Sequence, residues 1–578
     1  MKSFKSAPAP RPVSFQMRLA VLFVLMLSAA VVLAGRAVQL QLVDHGFLAD
    51  QGDARFMRVV ATVAHRGSIT DRFNEPLAVS TPVDSVWVNP KELTGNTEQL
   101  PKLARALGVN RTQLVRRVSS SLDRRFLYVA RGLQPADSRK VRALGLEGVN
   151  FSREYRRYYP AGEVAGHILG FTNVDDVGQE GAELAFDHWL AGEDGAKRVI
   201  QDSQGRKVED VESIRAVRPG RNLTLSIDLR IQYLAYRELK AAILANRARS
   251  GSVVVLDVQT GEVLAMVNQP AYNPNDREQL SPSAYRNRAA TDLFEPGSSI
   301  KPFIVAAGLA SGRYNADSII DTGPGFIQVG ATTFEDEHPM GAANLATILG
   351  KSSNVAMAKL ALSLEPRQIW GTLNALGFGQ VTASGFPGES AGLLSNYSHW
   401  RNITVATLSH GYALSVTPLQ LAQAYATLGA YGIRRPISLL RVDEAVVGER
   451  VLEEDVCRSL VGMLESVVGI EGTAPLARIP GYRVSGKTGT AWKAQAGGYS
   501  RDRYMAVFGG VAPATSPRLA AVVIIDEPSA GKYYGGEVSA PVFAAVVGGA
   551  LRLMAVPPDD VADANADALV NSRRMAQR

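Results

Sequence analysis

Along the chain, apolar and polar positions change pattern several times. Basic residues come first, followed by an apolar run from Leu19 to Gly35 that Arg36 closes. That run sits at the short end of the ~17–25 residues a membrane-spanning helix needs. Ala37, Val38, Leu40, Leu42 and Val43 extend it, with Arg36 snorkelling to the interface. From residue 50 to 220 the sequence is polar, Arg-rich and irregular, with strand-like pieces and few long helical patterns. Near Leu223–Asp228 the character shifts. Gly251–Val258 and Glu262–Val267 are β-branched apolar runs separated by Gln259-Thr260-Gly261, which predicts a hairpin. A long helical stretch follows, roughly 298 to 470, then two further strand patterns, Tyr504–Val511 and Leu519–Asp526. Strands at both ends with helices between predict an α+β domain, a sheet packed against helices. From Pro557 the chain is rich in aspartate and poor in apolar residues, the pattern of a disordered tail.

Composition changes this picture little. With 46% hydrophobic and 20% charged residues, wholesale disorder is excluded. The net charge of +7 looks like an invitation to nucleic acid, but Lys2, Lys5, Arg11 and Arg18 supply four of those charges before the first acid, Asp44. Positive charge ahead of the apolar run predicts a cytoplasmic N-terminus and everything after the run outside. A cleaved signal peptide is the rival reading, because Ser28-Ala29-Ala30 is rich in small residues. The apolar run continues past that point, which favours a retained anchor. Cys457, the only cysteine, excludes an internal disulfide and a Cys-rich metal site. The stretch Arg153, Tyr155, Arg156, Arg157, Tyr158, Tyr159 interleaves charge and aromatics as a nucleic-acid surface would. An ion-paired domain surface is the better reading outside the membrane.

Three short motifs carry candidate chemistry: Ser298-Ser299-Ile300-Lys301, Ser352-Ser353-Asn354 and Lys487-Thr488-Gly489-Thr490. Singly each has an ordinary explanation, a helix cap or a surface charge. In this order, with spacings that fit one domain, they form the signature of penicillin-recognising acyltransferases. Ser298 follows Glu295-Pro296-Gly297 and opens a helical pattern through Ile300, Phe303, Ile304 and Ala307, with Pro302 tolerated in the first turn. Ser298 therefore meets the positive end of a helix dipole, with Lys301 on the same face. A neutral Lys301 could take the Ser298 proton if burial and a nearby cation, Lys487, lower its pKa.

The chain resembles the class B penicillin-binding proteins over residues 50 to 556, closest to the FtsI-type division transpeptidases of Gram-negative bacteria. Flanking residues extend each motif: Glu295-Pro296-Gly297-Ser298, Ser352-Ser353-Asn354-Val355 and Ser485 to Ala491. Gly385-Phe386-Pro387-Gly388-Glu389 and Val416-Thr417-Pro418-Leu419-Gln420 match as scaffolding. In the N-terminal part Arg66–Arg72 with Pro76-Leu77-Ala78, Arg157-Tyr158-Tyr159-Pro160, Gly178–Glu183, and Arg198 with Asp202 and Gly205 match the family's pedestal. These read as ion pairs and tight turns. Arg72-Phe73-Asn74 departs from the usual Arg-Asn-Gly, and Ala182 replaces a larger aliphatic residue.

The resemblance implies a cytoplasmic tail (1–18), a transmembrane anchor (19–42), an elongated pedestal of the dimerisation type (50–220), a transpeptidase domain (221–556) and the tail (557–578). It implies a monofunctional serine-type D-Ala-D-Ala transpeptidase, cross-linking peptidoglycan stem peptides in septal wall synthesis and acylated by β-lactam antibiotics. In it Ser298 is the nucleophile and Lys301 its base. Ser352 carries a proton to the departing amine, and Asn354 bonds Lys301 and the substrate amide. Lys487 supplies positive charge; Thr488 and Thr490 receive a carboxylate, and Gly489 admits the ligand to the backbone. The N–H groups of Ser298 and Thr490 form the oxyanion hole, and the substrate adds to the sheet edge. Tyr533 and Gly535, in Tyr533-Tyr534-Gly535-Gly536, resemble the mobile loop beside the cleft and are expected to touch substrate.

Several expectations complete the reading. The catalytic part lies in the periplasm, held by a single pass through the inner membrane. Glycosyltransferase chemistry comes from a membrane partner of the FtsW type. No cofactor, metal or nucleic acid is expected; His338, in Glu335-Asp336-Glu337-His338, looks metal-like but lacks partners at ligand spacing. A β-lactam-hydrolysing or -sensing acyltransferase, a D,D-carboxypeptidase and an inactive division scaffold are the competing readings.

Overall fold

The computed structural model describes residues 15–47, 57–93, 99–124, 126–201, 207–276, 281–444, 446–495 and 497–560. Asp202, Gly205 and most of both termini lie outside them. Packing divides the chain into two compact units, one of residues up to Ala64 with Glu193–Arg218, the other of His65–Gly192 with Pro219 onward.

In the first unit, helix α1 (Phe15–Val38) buries none of its residues. With the turn that continues it to Val43 it is long and apolar enough to cross a membrane. Its start lies four residues before the sequence-based boundary, because Phe15, Gln16 and Met17 continue the helix. The same unit holds a three-stranded antiparallel sheet in which Gly195–Gln201 lies between Met57–Thr62 and Lys207–Arg215.

The second unit begins with the pedestal part. Strand β1 (Pro76–Val88) is long enough to pair with both β2 (Leu127–Leu133) and β3 (Val149–Tyr158). Short helices cover this sheet and close a small core of Val86, Val88, Leu103, Leu114, Val118 and Val141. Its charged residues turn inward in one place. Glu183, fully buried, accepts Arg66 Nε at 2.8 Å and Arg157 Nε at 2.6 Å, while Arg66 also reaches Asp187 at 2.7 Å. Thus Arg157, within the interleaved run, is an interior ion-pair partner. Asn74 adopts φ 68°, the left-handed conformation for which the family usually supplies glycine; asparagine is the side chain that tolerates it best. Phe73 beside it takes the Arg230 guanidinium 4.6 Å over its ring.

The sequence-predicted hairpin exists: β4 (Ser250–Asp257) pairs antiparallel with β5 (Val263–Gln269), after helix α2 (Leu229–Ala245). Every residue of both strands is buried, which explains apolar runs without alternation. The expected helical stretch is real but interrupted. Helix α3 (Lys301–Ala310) is followed by two small two-stranded sheets, Ile319–Asp321 with Ala342–Asn344 and Phe326–Val329 with Thr332–Glu335. The β-branched residues in 319–334 explain that departure. Helices α4 (Leu345–Lys351), α5 (Asn354–Ser363), α6 (Pro418–Gly429) and α7 (Glu454–Val468) then complete the helical layer. α6 is buried at every position, and Thr417 and Gln420 close its first turn reciprocally.

Strands β6 (Ser485–Gln495), β7 (Gly498–Ala512) and β8 (Leu519–Asp526) finish a five-stranded antiparallel sheet of order β5-β4-β8-β7-β6. Helix α8 (Ala540–Leu553) packs on it. β6, which carries the third motif, is an edge strand. Ile69, Leu77, Tyr159, Ile168 and Leu169 of the pedestal part share the large core beneath this sheet. Beyond Pro557 the chain stays tied as far as Asp560: Asp559 accepts Arg483 N at 2.8 Å and Thr515 Oγ1 at 2.7 Å.

Candidate active site

The three motifs converge on one cleft beside the free edge of β6. Ser298 sits in a 3₁₀ turn, Gly297–Ile300, which runs directly into α3. It therefore precedes the α-helix by one turn, with Lys301 as the first helical residue. Gly297 holds φ 54°, and a Cβ there would press on Ala491 at 3.3 Å. The turn is pinned from below. Ser299 is buried, its hydroxyl bonds Pro296 O at 2.7 Å, and its carbonyl accepts Tyr425 Oη from α6 at 2.9 Å. Ser298 itself stays partly exposed, and its hydroxyl has no protein partner among the described residues.

Lys301 is fully buried and its Nζ points at the second motif. It donates to Ser352 O at 2.7 Å, Ser352 Oγ at 3.1 Å and Asn354 Oδ1 at 2.8 Å. Ser352 ends α4 in the left-handed conformation, φ 60°, and this reversal turns both its carbonyl and its hydroxyl onto Lys301. Burial pulls the Lys301 ammonium down to about 7, with Asp336 pulling the other way.

Sequence reasoning missed Asp336 as part of this arrangement. Its carboxylate accepts Ser353 Oγ at 2.7 Å and the N–H groups of Asn354 and Val355 at 2.5 and 3.0 Å. It thereby caps α5 and fixes the Ser352-Ser353-Asn354 turn. Only its place in an acidic run marked it, and that run resembled a metal site more than a cap. Among the described residues no group of three His, Cys, Asp or Glu side chains is disposed to hold a metal ion. His410, also unmarked, is buried with Nε2 3.0 Å from Asn354 O and its ring stacked 4.8 Å from Phe334.

Lys487 is buried too. Among the described residues its ammonium has only Thr488 O at 3.3 Å and Thr488 Oγ1 at 3.2 Å as acceptors. Burial first, and then the Lys301 charge, push it well below the ordinary lysine value. Burial is the first cause for both ammonium groups, as expected for Lys301, and the two lysines lie close enough that the Lys301 charge also lowers Lys487.

Gly489 is required by packing, since a Cβ would come 2.6 Å from Pro296 O. The bare backbone lets β6 lie against the Ser298 turn. Thr488 Oγ1 is bridged to Thr473 Oγ1 at 2.9 Å, and Thr490 Oγ1 accepts Gly535 N at 3.1 Å. Gly535 packs on β6 and β7, where a Cβ would meet Val507 O at 2.2 Å and Gly489 O at 2.6 Å. Tyr533 stacks between Tyr504 at 4.2 Å and Tyr534 at 4.6 Å, and Tyr534 Oη reaches Glu337 Oε1 at 3.1 Å.

This arrangement provides a partly exposed hydroxyl at a helix start, two buried amines of low basicity and an extended backbone edge. It can do acyl transfer to an amine or to water.

Comparison with known proteins points the same way. Residues 251–548 match the penicillin binding protein transpeptidase domain, and residues 61–225 the penicillin-binding protein dimerisation domain. The chain is 45% identical over 547 residues to the peptidoglycan D,D-transpeptidase FtsI of Escherichia coli (strain K12), covering 94% of this chain and 92% of that protein. It is 42% identical over 545 residues to a probable peptidoglycan D,D-transpeptidase, PbpC, of Pseudomonas aeruginosa, with 94% and 96% covered. The apo transpeptidase domain of penicillin-binding protein 3 from Burkholderia pseudomallei superposes with a TM-score of 0.54 at 41% identity, over 58% of this chain and 97% of that one.

Proposed function

Since the chain belongs to the class B penicillin-binding proteins and is a serine-type peptidoglycan D,D-transpeptidase, we propose that it cross-links stem peptides through an acyl-enzyme on Ser298. The observation that carries this reading is the burial of Lys301 and its hold on Ser352 and Asn354, directly after the Ser298 turn.

The donor stem lies along the edge of β6, its terminal carboxylate toward Lys487, Thr488 and Thr490. Ser298 Oγ attacks the carbonyl carbon of the penultimate D-Ala while neutral Lys301 removes the hydroxyl proton. The N–H groups of Ser298 and Thr490 hold the oxyanion. The C–N bond then breaks, Ser352 passes a proton to the departing D-Ala amine, and an ester to Ser298 remains. An amine from a second stem attacks this ester, loses its proton through the same relay, and frees Ser298. β-Lactams enter by the first half of this path and stop at the ester. Tyr533 and Gly535 border the donor, Tyr533 through its ring and Gly535 beside Thr490, whose hydroxyl accepts its N–H.

The reading extends to septal wall synthesis, supported by likeness to an FtsI protein. α1 serves as a single inner-membrane anchor with residues 1–18 in the cytoplasm and the catalytic part in the periplasm; the basic residues before it support that orientation. An FtsW-type glycosyltransferase supplies the glycan strands.

The test is labelling of the full chain in detergent with a fluorescent penicillin, beside Ser298→Ala. A Ser298-dependent band that persists for hours after quenching is expected. A band that vanishes within seconds would mean hydrolysis, and no band from folded protein would leave a scaffold.

A further inference from the structure

Three residues before Ser298 stands an ionisable group that the acyl-transfer steps do not use. Glu295 is half-buried. Its Oε1 accepts two hydrogen bonds, from Tyr499 Oη at 3.0 Å and from Ala413 N at 3.1 Å. Its Oε2 is shielded from solvent and has no partner among the described residues. A shielded carboxylate oxygen without a donor is costly, and buried polar groups are nearly always paired. Burial raises the Glu295 carboxyl above the ordinary carboxylate range, against the two hydrogen bonds.

The surroundings of this carboxylate are aromatic. The Tyr412 and Tyr499 rings meet edge to face at 5.3 Å, and Tyr412 Oη accepts Trp492 N at 3.2 Å. Glu295 therefore lies where the Ser298 turn, the loop around Tyr412 and the far end of β6 come together. A donor whose carboxylate sits near Thr488 and Thr490 runs its upstream residues toward Trp492, hence toward this corner.

The reaction itself states what those residues carry. If stems are joined to one another through an amine, every stem bears one, including the stem that acts as donor. We propose that Glu295, with Tyr412 and Tyr499, is a subsite for the free side-chain ammonium of the donor stem, which selects donors carrying that cation. Among the described residues no cation pairs with the half-buried Glu295 carboxylate, so the ammonium supplies its missing counter-charge beside the exposed Tyr499 ring. This rests on the transpeptidase reading and deepens it.

The test measures single-turnover acylation of the full chain, with enzyme in excess and thiol release as the readout, by a stem-peptide thioester with a free side-chain amine and by its N-acetylated twin, so that the amine of the donor does not act as acceptor. The wild type is expected to favour the free amine about tenfold, the scale of one charge-assisted hydrogen bond. Glu295→Gln should bring the ratio close to one, and Glu295→Asp should keep part of it. Because the ratio is internal to each preparation, a general loss of activity cancels. If the glutamine variant does not fold, the wild type still decides, because its preference should shrink as acid protonates Glu295. A ratio near one in the wild type, or one that survives in Glu295→Gln, overturns the inference. Protein that fluorescent penicillin labels but that ignores the amine sinks only this inference; protein that neither penicillin nor thioester acylates sinks the transpeptidase reading.

Discussion

Two places in this protein bury charge, and they treat it in opposite ways. In the pedestal part, Arg66 and Arg157 meet the carboxylate of Glu183 directly. Burial alone would lower Arg66, but Glu183 and Asp187 outweigh it and hold the guanidinium above its ordinary value. In the cleft, among the described residues, Lys301 meets oxygens of Ser352 and Asn354 but no carboxylate within salt-bridge distance, and Lys487 meets only Thr488. Both ammonium groups are consequently lowered. Pairing with carboxylates holds a guanidinium, which keeps its proton in any case, as a structural charge. Partial pairing leaves an amine able to lose its proton near neutral pH, which a general base requires.

The contrast is broken most severely by removing each charge in turn. Lys301→Met takes away the proposed base, and acylation by penicillin should fall about a thousandfold. Thermal stability should change little, because removing a buried cation offsets the three hydrogen bonds that Ser352 and Asn354 lose. Stopped-flow acylation and a melting curve on the same sample check both halves. Glu183→Gln should do the reverse. Two buried guanidinium groups lose their counter-charge, at a cost of about 3 kcal/mol, read as a lower midpoint of denaturant unfolding. Acylation per folded molecule should hardly change. Loss of activity without loss of stability in that variant would defeat the distinction.

Asp336→Asn sharpens it. The amide keeps an oxygen for the N–H groups of Asn354 and Val355 but removes the charge that raises Lys301. In the wild type the acylation rate should climb as pH rises through about 7, because neutral Lys301 is the active form. In the variant Lys301 falls further, so the neutral form persists to lower pH and the acid limb of the pH–rate profile should move down. An unmoved limb would assign it to another group. The smallest effect is expected from Tyr534→Phe, which loses the exposed bond to Glu337 and a long one from Tyr533. It should slow acylation a few-fold, in line with about 1 kcal/mol for a single hydrogen bond.

The outline of the fold and the candidate nucleophile were legible in the chain. The hairpin of β4 and β5, the late strands β7 and β8, the membrane-length helix and the three motifs all follow from local patterns. The interrupted helical stretch shows the limit. The short strands between Ile319 and Asn344 pair only with one another, and their length leaves too little periodicity to be told from a helical run. The glycines divide in the same manner. Gly489 is marked by its motif, whereas the reason for Gly535 is a carbonyl on β7 that sequence does not bring near it.

What the sequence by itself determined is therefore the identity and order of the proposed reacting groups, since Ser298 and Lys301 are one helical turn apart and need no distant partner to be recognised. Only the tertiary structure decided their chemistry. Whether a lysine is charged depends on what surrounds it within a few ångströms, and here those surroundings are Ser352, Asn354 and Asp336, brought to Lys301 from more than thirty positions along the chain. The same holds for Glu295, whose neighbours Ala413 and Tyr499 arrive from two other segments. Electrostatic environment is a property of the assembled core, and no local pattern encodes it.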